Sequence, residues 1–372
     1  MRTVVIVLGA ACIGLLLVVG AGCTAGKMLA DAEDLKQFPL PSSIAGDPPS
    51  SGLRHWRRQF ERLPYTVRQD GNSYVTVIQP PRGGIEFWAN EWGEAGATQR
   101  TVFVRRGPAI DKLGEPQAVF DGTLINDVPD LKDPQRLAPG RGFTRTTMLL
   151  DPQEGYVLMT CVCPEYLPGS APLLPALVVS KTGTPGTWTY MGKLKGDPEE
   201  EARKRWETTK TYIWSDGGPI LRLSDGRWRI YLNGFGKKLS ALESDTLAGP
   251  WKFLRDAQGQ VRELLPDLPT GGVWANVLRL DERDWHLWLT DTYPPQAIWH
   301  YHSTDGLNWS RFGRQPEITR ATVGQRPIKC LRTYYDPSRD EIVGLLAVWD
   351  SRPGGGKCWC QFISRMPAKL LP

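Results

Sequence analysis

Residues 219–232 read Pro219-Ile-Leu-Arg-Leu-Ser-Asp225-Gly-Arg-Trp-Arg-Ile-Tyr-Leu232, which is a short apolar strand, a turn and a second apolar strand. Asp-Gly is a strong turn former, because Gly adopts positive φ and the Asp side chain can accept a hydrogen bond from the backbone of its own turn. This stretch therefore predicts a β-hairpin with Asp225 in its turn.

The same hairpin pattern occurs at four other places in the chain. The copies lie at 64–78, 148–159, 277–289 and 331–346, with turn aspartates Asp70, Asp151, Asp281 and Asp336. With Asp225 included, successive turn aspartates are 81, 74, 56 and 55 residues apart. Repeats at this spacing favour units of four strands stacked around an axis, so the sequence predicts an all-β, five-bladed β-propeller. One or two β-sandwiches are the alternative.

A second repeated element follows three of the hairpins. It begins with Ser and ends with Trp, as Ser180 to Trp188, Ser244 to Trp251 and Ser303 to Trp309. Each copy stands where the third strand of a blade would pass to the fourth. A Ser hydroxyl can cap such a turn, and we expect each Trp to pack between adjacent sheets.

The composition is that of a globular protein rich in turns. The chain has 372 residues, 41% of them hydrophobic, with 39 Gly and 31 Pro. These values exclude a disordered tail, a collagen-like repeat and a multi-span membrane protein, because only one long apolar run is present. The net charge of +5 comes from scattered basic residues, so a nucleic-acid partner is not expected.

The long apolar run is at the N-terminus. Arg2 is the only charge before Lys27, and 18 apolar or small residues run from Val4 to Ala21, just before Cys23. This segment resembles a bacterial lipoprotein signal, which implies cleavage after residue 22 and a lipid on the Cys23 thiol. An ordinary secretory signal or an uncleaved anchor is the alternative. We therefore predict a signal peptide at 1–22, a lipid-anchored linker at 23–55, a propeller domain at 56–372 and a location in the cell envelope.

Five cysteines remain if Cys23 carries a lipid and the signal peptide is removed. They are Cys161, Cys163, Cys330, Cys358 and Cys360. An odd number cannot all pair within one chain, and each Cys-X-Cys pair on a strand would face one side. Buried thiols are expected, with a disulfide or a metal site as alternatives.

Two segments resemble blade sequences of a known group of enzymes. Residues Gly217–Tyr231 and Glu243–Trp251 are similar to blades of the five-bladed β-propeller glycoside hydrolases, the arabinanase, xylosidase and invertase group. The resemblance implies hydrolysis of a glycosidic bond in a central funnel by paired carboxylates. One carboxyl must be protonated to act as an acid and another ionised to attack or to activate water.

Propeller topology narrows the candidate carboxylates. The start of the innermost strand and the end of the second strand lie at the same opening, which we call the mouth. Asp216 lies just before one inner strand, and the resemblance implies a general acid beside the following Gly-Pro. Glu165 and Asp291 follow second strands, and Asp130, with Asp127, precedes the inner strand of the second blade. Turn caps, surface carboxylates and salt bridges are the alternatives.

Other residue types at the mouth are candidates for substrate binding. Trp214, Trp274 and Tyr293 could stack on sugar rings, and core packing is the alternative for each. Arg145 and Arg326 could bind a substrate carboxylate, and pairing with an aspartate of the funnel is the alternative.

Several kinds of chemistry have no supporting motif. His300-X-His302 would share a strand face, but the sequence places no third ligand beside it. A satisfied or exposed histidine pair is therefore expected there, and no metal and no cofactor are predicted.

We predict an exported monomer that hydrolyses a polysaccharide or oligosaccharide. The alternatives are a lipoprotein that binds carbohydrate without cleaving it and a structural scaffold of the envelope.

Overall fold

The structure is a computed structural model, and it describes the part of the chain that forms the blades. The described residues are 56, 60–64, 74–92, 100–125, 143–162, 174–201, 218–235, 238–265, 274–290, 297–313, 316–351 and 357–370. All of them belong to the second of two compact units, Pro49–Pro372. Within these residues, no helix is long and apolar enough to cross a membrane.

The described strands form five antiparallel sheets, which confirms the all-β propeller. Blade 1 contains β2 (Val75–Ile78), β3 (Ile85–Trp92), β4 (Arg100–Gly107) and β5 (Gln117–Asp121). Blade 2 contains β6 (Phe143–Asp151), β7 (Gly155–Val162), β8 (Leu174–Ser180) and β9 (Thr189–Lys193). Blade 3 contains β10 (Ile220–Arg222), β11 (Trp228–Phe235), β12 (Lys238–Ser244) and β13 (Lys252–Phe253).

The last two blades each have an additional feature. Blade 4 contains β14 (Trp274–Arg279), β15 (Trp285–Thr290), β16 (Ala297–Ser303) and β17 (Ser310–Arg311), with β18 (Ile318–Thr319) paired to the other end of β16. Blade 5 contains β19 (Ile328–Asp336), β20 (Glu341–Ser351) and β21 (Lys357–Pro367), and its outermost strand is β1 (Glu61–Arg62). A strand from the start of the domain therefore completes the last blade.

Short helical segments connect some of these strands. Three 3-10 turns occur at Gly122–Ile125, Arg320–Val323 and Ala368–Leu370, and residues 197–201 are helical. Asp197 Oδ2 accepts hydrogen bonds from Phe253 N (3.0 Å) and Arg255 Nη2 (3.1 Å), and so it joins the helix to the outer edge of blade 3.

The blades close into a ring through apolar clusters between neighbouring sheets. Trp88 and Leu158 belong to the cluster between blades 1 and 2, and Val75 and Val343 to the cluster between blades 5 and 1. The other three pairs of neighbouring blades are joined in the same way. The core is thus distributed around the ring, and each sheet buries both faces.

Four of the five predicted hairpin turns are confirmed. The Oδ1 atoms of Asp151, Asp225, Asp281 and Asp336 each accept a hydrogen bond from the backbone N–H two residues later, at 2.7 to 3.0 Å. Each of these turns joins the first and second strands of its blade. The Asp side chain thus caps its own turn, as the sequence predicts.

The predicted Ser-to-Trp turns are also confirmed between the third and fourth strands. Ser180 Oγ accepts from Gly183 N, and Ser303 Oγ accepts from Gly306 N, each at 2.9 Å. Trp188 packs between blades 1 and 2, and Trp251 between blades 2 and 3. The repeated turns therefore also supply the aromatic residues that join the blades.

The prediction for the first hairpin is wrong. It made residues up to Ile78 the second strand after a turn at Asp70, but the structure makes Val75–Ile78 the first strand of its blade, paired with β3. The turn between them is at 79–84, where Gly83 and Gly84 adopt φ of 86° and 82°. Asp70 has the residue type of a turn but lies outside the described residues, and two glycines with positive φ form the actual turn.

Candidate active site

The candidate active site is the mouth, where inner strands begin and second strands end. Trp274 and Ile328 are the first residues of β14 and β19, and Thr290 is the last residue of β15. Thr290 Oγ1 donates a hydrogen bond to the Lys329 carbonyl oxygen at 2.9 Å. This bond joins the second strand of blade 4 to the inner strand of blade 5 at the mouth.

Lys329 lies among three aromatic rings from three blades. Its Nζ is 5.1 Å from the centroid of the Tyr74 ring and 5.2 Å from those of Trp274 and Trp359. A cation within about 6 Å of a ring centroid is attracted by the negative face of the ring. The mouth therefore has a positive charge held by packing among blades 1, 4 and 5.

Asp350, next to the end of β20, is paired with two arginines. Its Oδ2 accepts from Arg326 Nη1 at 3.0 Å and from Arg62 Nη1 at 3.5 Å. Arg326 also donates from Nε to the Val323 carbonyl at 2.6 Å. Because Arg62 is on β1, Asp350 joins the N-terminal strand to the start of β19.

Two of the predicted binding residues have described side chains. Arg326 pairs with Asp350, which is the alternative that the sequence left open. Trp274 is buried, with 4% of its surface exposed, and packs with Tyr74 and Cys330. The arrangement gives both residues structural contacts, and the predicted contacts with substrate stay predictions.

The structure describes no side chain for the remaining predicted residues. Arg145 is placed in β6 by its backbone alone. The others lie outside the described residues, and they are Asp127, Asp130, Glu165, Trp214, Asp216, Asp291, Tyr293 and Cys23. Their roles stay predictions.

The described cysteines agree with buried thiols. Cys161, Cys330, Cys358 and Cys360 are buried thiols that form no disulfide, and Cys163 is outside the described residues. Cys358 and Cys360 face the same side of β21, with their Sγ atoms 3.5 Å apart. The hydrogen bond with the neighbouring Cys358 thiol and burial raise the pKa of Cys360, which favours its protonated form.

A second polar cluster, at the end of blade 4 opposite the mouth, was missed from the sequence. His286 Nε2 is 2.8 Å from Asp284 Oδ1, and His302 Nε2 is 3.3 Å from the same oxygen. We call Asp284, His286 and His302 the histidine cluster. Three ligand atoms from these residues all lie within 4.8 Å of one another. The sequence places no third ligand beside His302, and the structure brings Asp284 and His286 to it.

The histidine cluster continues inward as a chain of polar contacts. His286 Nδ1 is 3.0 Å from His300 Nε2, and His300 Nδ1 is 2.7 Å from Glu317 Oε2. Trp56 Nε1 donates to Glu317 Oε1 at 2.7 Å. Burial, with the neighbouring histidines, lowers the pKa of His286 to about 3, so its imidazole is neutral at neutral pH. Burial also raises the pKa of Asp284.

A sequence signal for this cluster does exist. Asp284 and His286 are separated by one residue, as are His300 and His302, and the two pairs lie on consecutive strands. In the structure His286 pairs with His302 across β15 and β16. This pairing can be predicted only if the register between the two strands is known, because a shift by one residue would turn either pair to the other face of the sheet.

Comparisons with known proteins show the fold. No protein-family model matches the chain, and no curated protein matches it. It is similar to the solved structure of an α-L-arabinofuranosidase from Lactobacillus brevis, with a TM-score of 0.54 and 9% identity over 82% of this chain and 92% of that one. It is also similar to a putative exo-β-1,3-galactanase from Bifidobacterium bifidum, with a TM-score of 0.53 and 11% identity over 83% and 93%.

A third similar structure is a GH43 β-1,3-galactosidase with galactodeoxynojirimycin. The TM-score is 0.53 and the identity is 10%, over 80% of this chain and 97% of that one. The likeness to the five-bladed propellers of glycoside hydrolases is thus confirmed as a likeness of fold.

Proposed function

We propose that this chain is a glycoside hydrolase that cleaves a polysaccharide or oligosaccharide at the mouth of its propeller. The observation that carries the proposal is the closed ring of five blades, in which the strand ends of different blades meet at one opening. The comparison structures support it, because they are those of an α-L-arabinofuranosidase and a putative exo-β-1,3-galactanase.

The acidic residues that we propose as catalytic adjoin described strand ends. Asp291 follows Thr290 directly, Glu165 is three residues after Val162, and Asp216 is two residues before Gly218. Because consecutive Cα atoms are about 3.8 Å apart, each of these residues is only a short step along the chain from a described end. Asp130 is proposed as a further acid on the connection that enters blade 2.

The two catalytic carboxyls need different surroundings. A nearby positive charge favours the ionised form of a carboxyl, whereas burial favours the protonated form. We assign Asp291, which directly follows Thr290 at the mouth, as the ionised nucleophile or base. Asp216, whose sequence context resembles that of the family's acid, is assigned as the proton donor to the leaving oxygen.

We further propose that the enzyme acts outside the cytoplasm, with a lipid on Cys23 and residues 23–55 as a tether. The apolar N-terminal segment supports this location. Replacing Cys23 with Ser is expected to abolish incorporation of labelled fatty acid and to move the protein out of the detergent phase. Unchanged partitioning of the C23S variant would contradict lipidation at this residue.

The catalytic assignment is tested by four single variants, Asp216→Asn, Asp291→Asn, Glu165→Gln and Asp130→Asn. Activity is screened on aryl glycosides and on arabinan-, galactan- and xylan-derived oligosaccharides. Removing a general acid or base typically lowers the rate by about 10²–10⁴-fold, so we expect a loss of this size in kcat for Asp216→Asn and Asp291→Asn.

The matched control is Asp225→Asn, which changes an exposed turn carboxyl at the other end of the ring. It should leave kcat and KM unchanged. Full activity in all four mouth variants would overturn the assigned residues. Sugar binding by calorimetry with no product after long incubation would instead identify a carbohydrate-binding protein without hydrolase activity.

A further inference from the structure

The histidine cluster has the donor atoms and the spacing of a metal site. Two ligand atoms that are each about 2.1 Å from one ion are about 3.0–3.4 Å apart at bond angles of 90–109°. His286 Nε2 and His302 Nε2 lie 2.8 Å and 3.3 Å from Asp284 Oδ1. Because the three ligand atoms all lie within 4.8 Å of one another, movements of the three side chains would bring them onto one ion.

We propose that Asp284, His286 and His302 bind one divalent transition-metal ion of the zinc class at the end of blade 4 opposite the mouth. Two imidazole nitrogens and one carboxylate oxygen suit such an ion, whereas Ca²⁺ takes six to eight oxygen ligands. The side chains of Asp284 and His302 are 30% and 27% exposed. Solvent can thus deliver the ion and supply water as a further ligand.

A count of hydrogens along the polar chain supports the same conclusion. The chain has three short contacts: Glu317 with His300 (2.7 Å), His300 with His286 (3.0 Å) and His286 with Asp284 (2.8 Å). A close contact between two acceptor atoms needs one hydrogen or one cation between them. With one N–H on each of the two imidazoles, two of the three contacts contain a hydrogen and one does not.

The contact that lacks a hydrogen or a cation is assigned to the solvent end of this row of polar contacts, between His286 and Asp284. At the buried end, Glu317 also accepts from Trp56 Nε1 and from Trp288 Nε1 at 3.3 Å, so its carboxylate is well supplied with donors. When the His300 proton faces Glu317 and the His286 proton faces His300, His286 Nε2 presents a lone pair. Within the described residues, His286 Nε2, Asp284 Oδ1 and His300 Nδ1 have no aligned hydrogen bond. The 2.7 Å contact between His300 Nδ1 and Glu317 Oε2 accounts for the last of these atoms, and a bound cation at the solvent end would satisfy the first two.

The surrounding contacts are those of a second shell. A histidine that binds a metal commonly donates its other N–H to a further group, which fixes the ring and its tautomer. His300 has this position behind His286, and Glu317 has it behind His300. Since Glu317 also bonds to Trp56, the site is connected to the segment that precedes β1, the strand that completes blade 5.

The proposal is tested by metal binding to the purified full-length chain. The protein is stripped with a chelator and titrated with Zn²⁺, with Ca²⁺ as a comparison, and Co²⁺ is used to observe its visible d–d bands. We expect one site that is present in the wild type and lost in His302→Gln. The loss should exceed the roughly 10–100-fold reduction that second-shell changes cause.

The control variant is Asp281→Asn, in the same turn as Asp284. Its amide oxygen can still accept from Arg283 N, so the turn is retained and only a nearby charge is removed. Binding should equal that of the wild type. Comparing variants isolates this site from any other metal-binding residue, and circular dichroism with a thermal melt shows that each variant is folded.

Glu317→Gln gives a test that a purely structural cluster would not pass. The Gln amide can donate to His300 Nδ1, which reverses both imidazole protons and directs a His286 N–H at Asp284. The third hydrogen is then present, and we expect Zn²⁺ affinity to fall by about 10–100-fold. Absence of Zn²⁺ and Co²⁺ binding in the wild type, or equal binding in the wild type and His302→Gln, would overturn the proposal and leave a proton on Asp284 as the missing charge.

Discussion

Two buried glutamates show different ways to place a carboxylate between blades. Glu86, in the interface of blades 1 and 2, accepts from Arg106 Nε (2.9 Å), Arg82 Nη2 (2.6 Å) and Tyr156 Oη (2.8 Å). Glu317, in the interface of blades 4 and 5, accepts from two indoles and contacts His300. Guanidinium groups balance the charge of the first carboxylate directly, whereas among the described residues the second is in contact with two indole N–H groups and one imidazole.

This difference determines whether each buried network finds all its hydrogen-bond partners within the protein. Charged partners at Glu86 balance its charge with protons that never leave the arginines, so this network is closed and needs nothing from solvent. Glu317 is connected through His300 and His286 to Asp284 near the surface, and the contact between His286 and Asp284 is the one that lacks a hydrogen. The Glu86 network, whose partners are all within the protein, stabilises the fold. The network that ends at Asp284 lacks one partner and can bind a ligand there.

The largest effect is expected from Glu86→Gln. The amide would put N–H groups against buried donors and leave the arginines without a carboxylate. Breaking a fully buried ion pair costs about 3–5 kcal/mol, and the partial exposure of Arg82 and Arg106 reduces this to about 2–3 kcal/mol. Urea unfolding measures the loss. Tyr156→Phe is the comparison, because it removes one donor and should cost about 1 kcal/mol.

The pH dependence of the same variant distinguishes charge from packing. Burial alone would raise the pKa of Glu86, but hydrogen bonds from Arg106 and Tyr156 and the charge of Arg106 lower it below its ordinary value. The stabilisation is therefore complete above the unfolded-state pKa of about 4.3 and is lost as the pH falls through the folded-state pKa. The gap between wild type and Glu86→Gln should shrink in acid. A gap that stays constant from neutral pH into acid would contradict an ionised Glu86.

A smaller effect is expected from Glu317→Gln. The amide oxygen can still accept from Trp56, and the amide N–H can donate to His300, so only the bond from Trp288 is lost. One lost hydrogen bond in a buried site corresponds to about 1 kcal/mol in the free energy of unfolding. Chelator-treated protein is used, so that metal binding does not contribute. A loss as large as that of Glu86→Gln would show that Glu317 needs its charge, and the contrast between the two interfaces would fail.

Local features of the fold could be predicted from the sequence. Each turn aspartate, such as Asp151 or Asp225, bonds to a backbone N–H two residues away, so the required information lies in a few consecutive residues. The same is true of the Ser180 and Ser303 turns. In the first blade this reasoning failed, because Asp70-Gly71 and Gly83-Gly84 both have turn chemistry and only strand pairing distinguishes them.

Contacts between blades could not be predicted in this way. Trp56 and Glu317 are 261 residues apart, and Glu86 and Tyr156 are 70 apart, so their meeting depends on ring closure and strand register. The histidine cluster depends on the pairing of His286 with His302. At the mouth, the sequence named Arg326 and an aspartate of the funnel as possible partners, and the structure pairs Arg326 with Asp350.

The smallest effect is expected from Asp151→Asn, in the interface of blades 2 and 3. Asp151 Oδ1 caps its turn and also accepts from Arg222 Nη1 at 3.2 Å, whose side chain is 28% exposed. The amide oxygen retains the cap, so only the charge is lost, at about 0.5–1 kcal/mol. Asp281→Asn makes the same change in blade 4, where no described cation forms an ion pair with the turn aspartate, and it should be neutral in urea unfolding. Equal losses in the two variants would mean that the cap needs the negative charge and that Arg222 adds nothing, which would leave Glu86 as the only one of these two inter-blade carboxylates stabilised by a guanidinium.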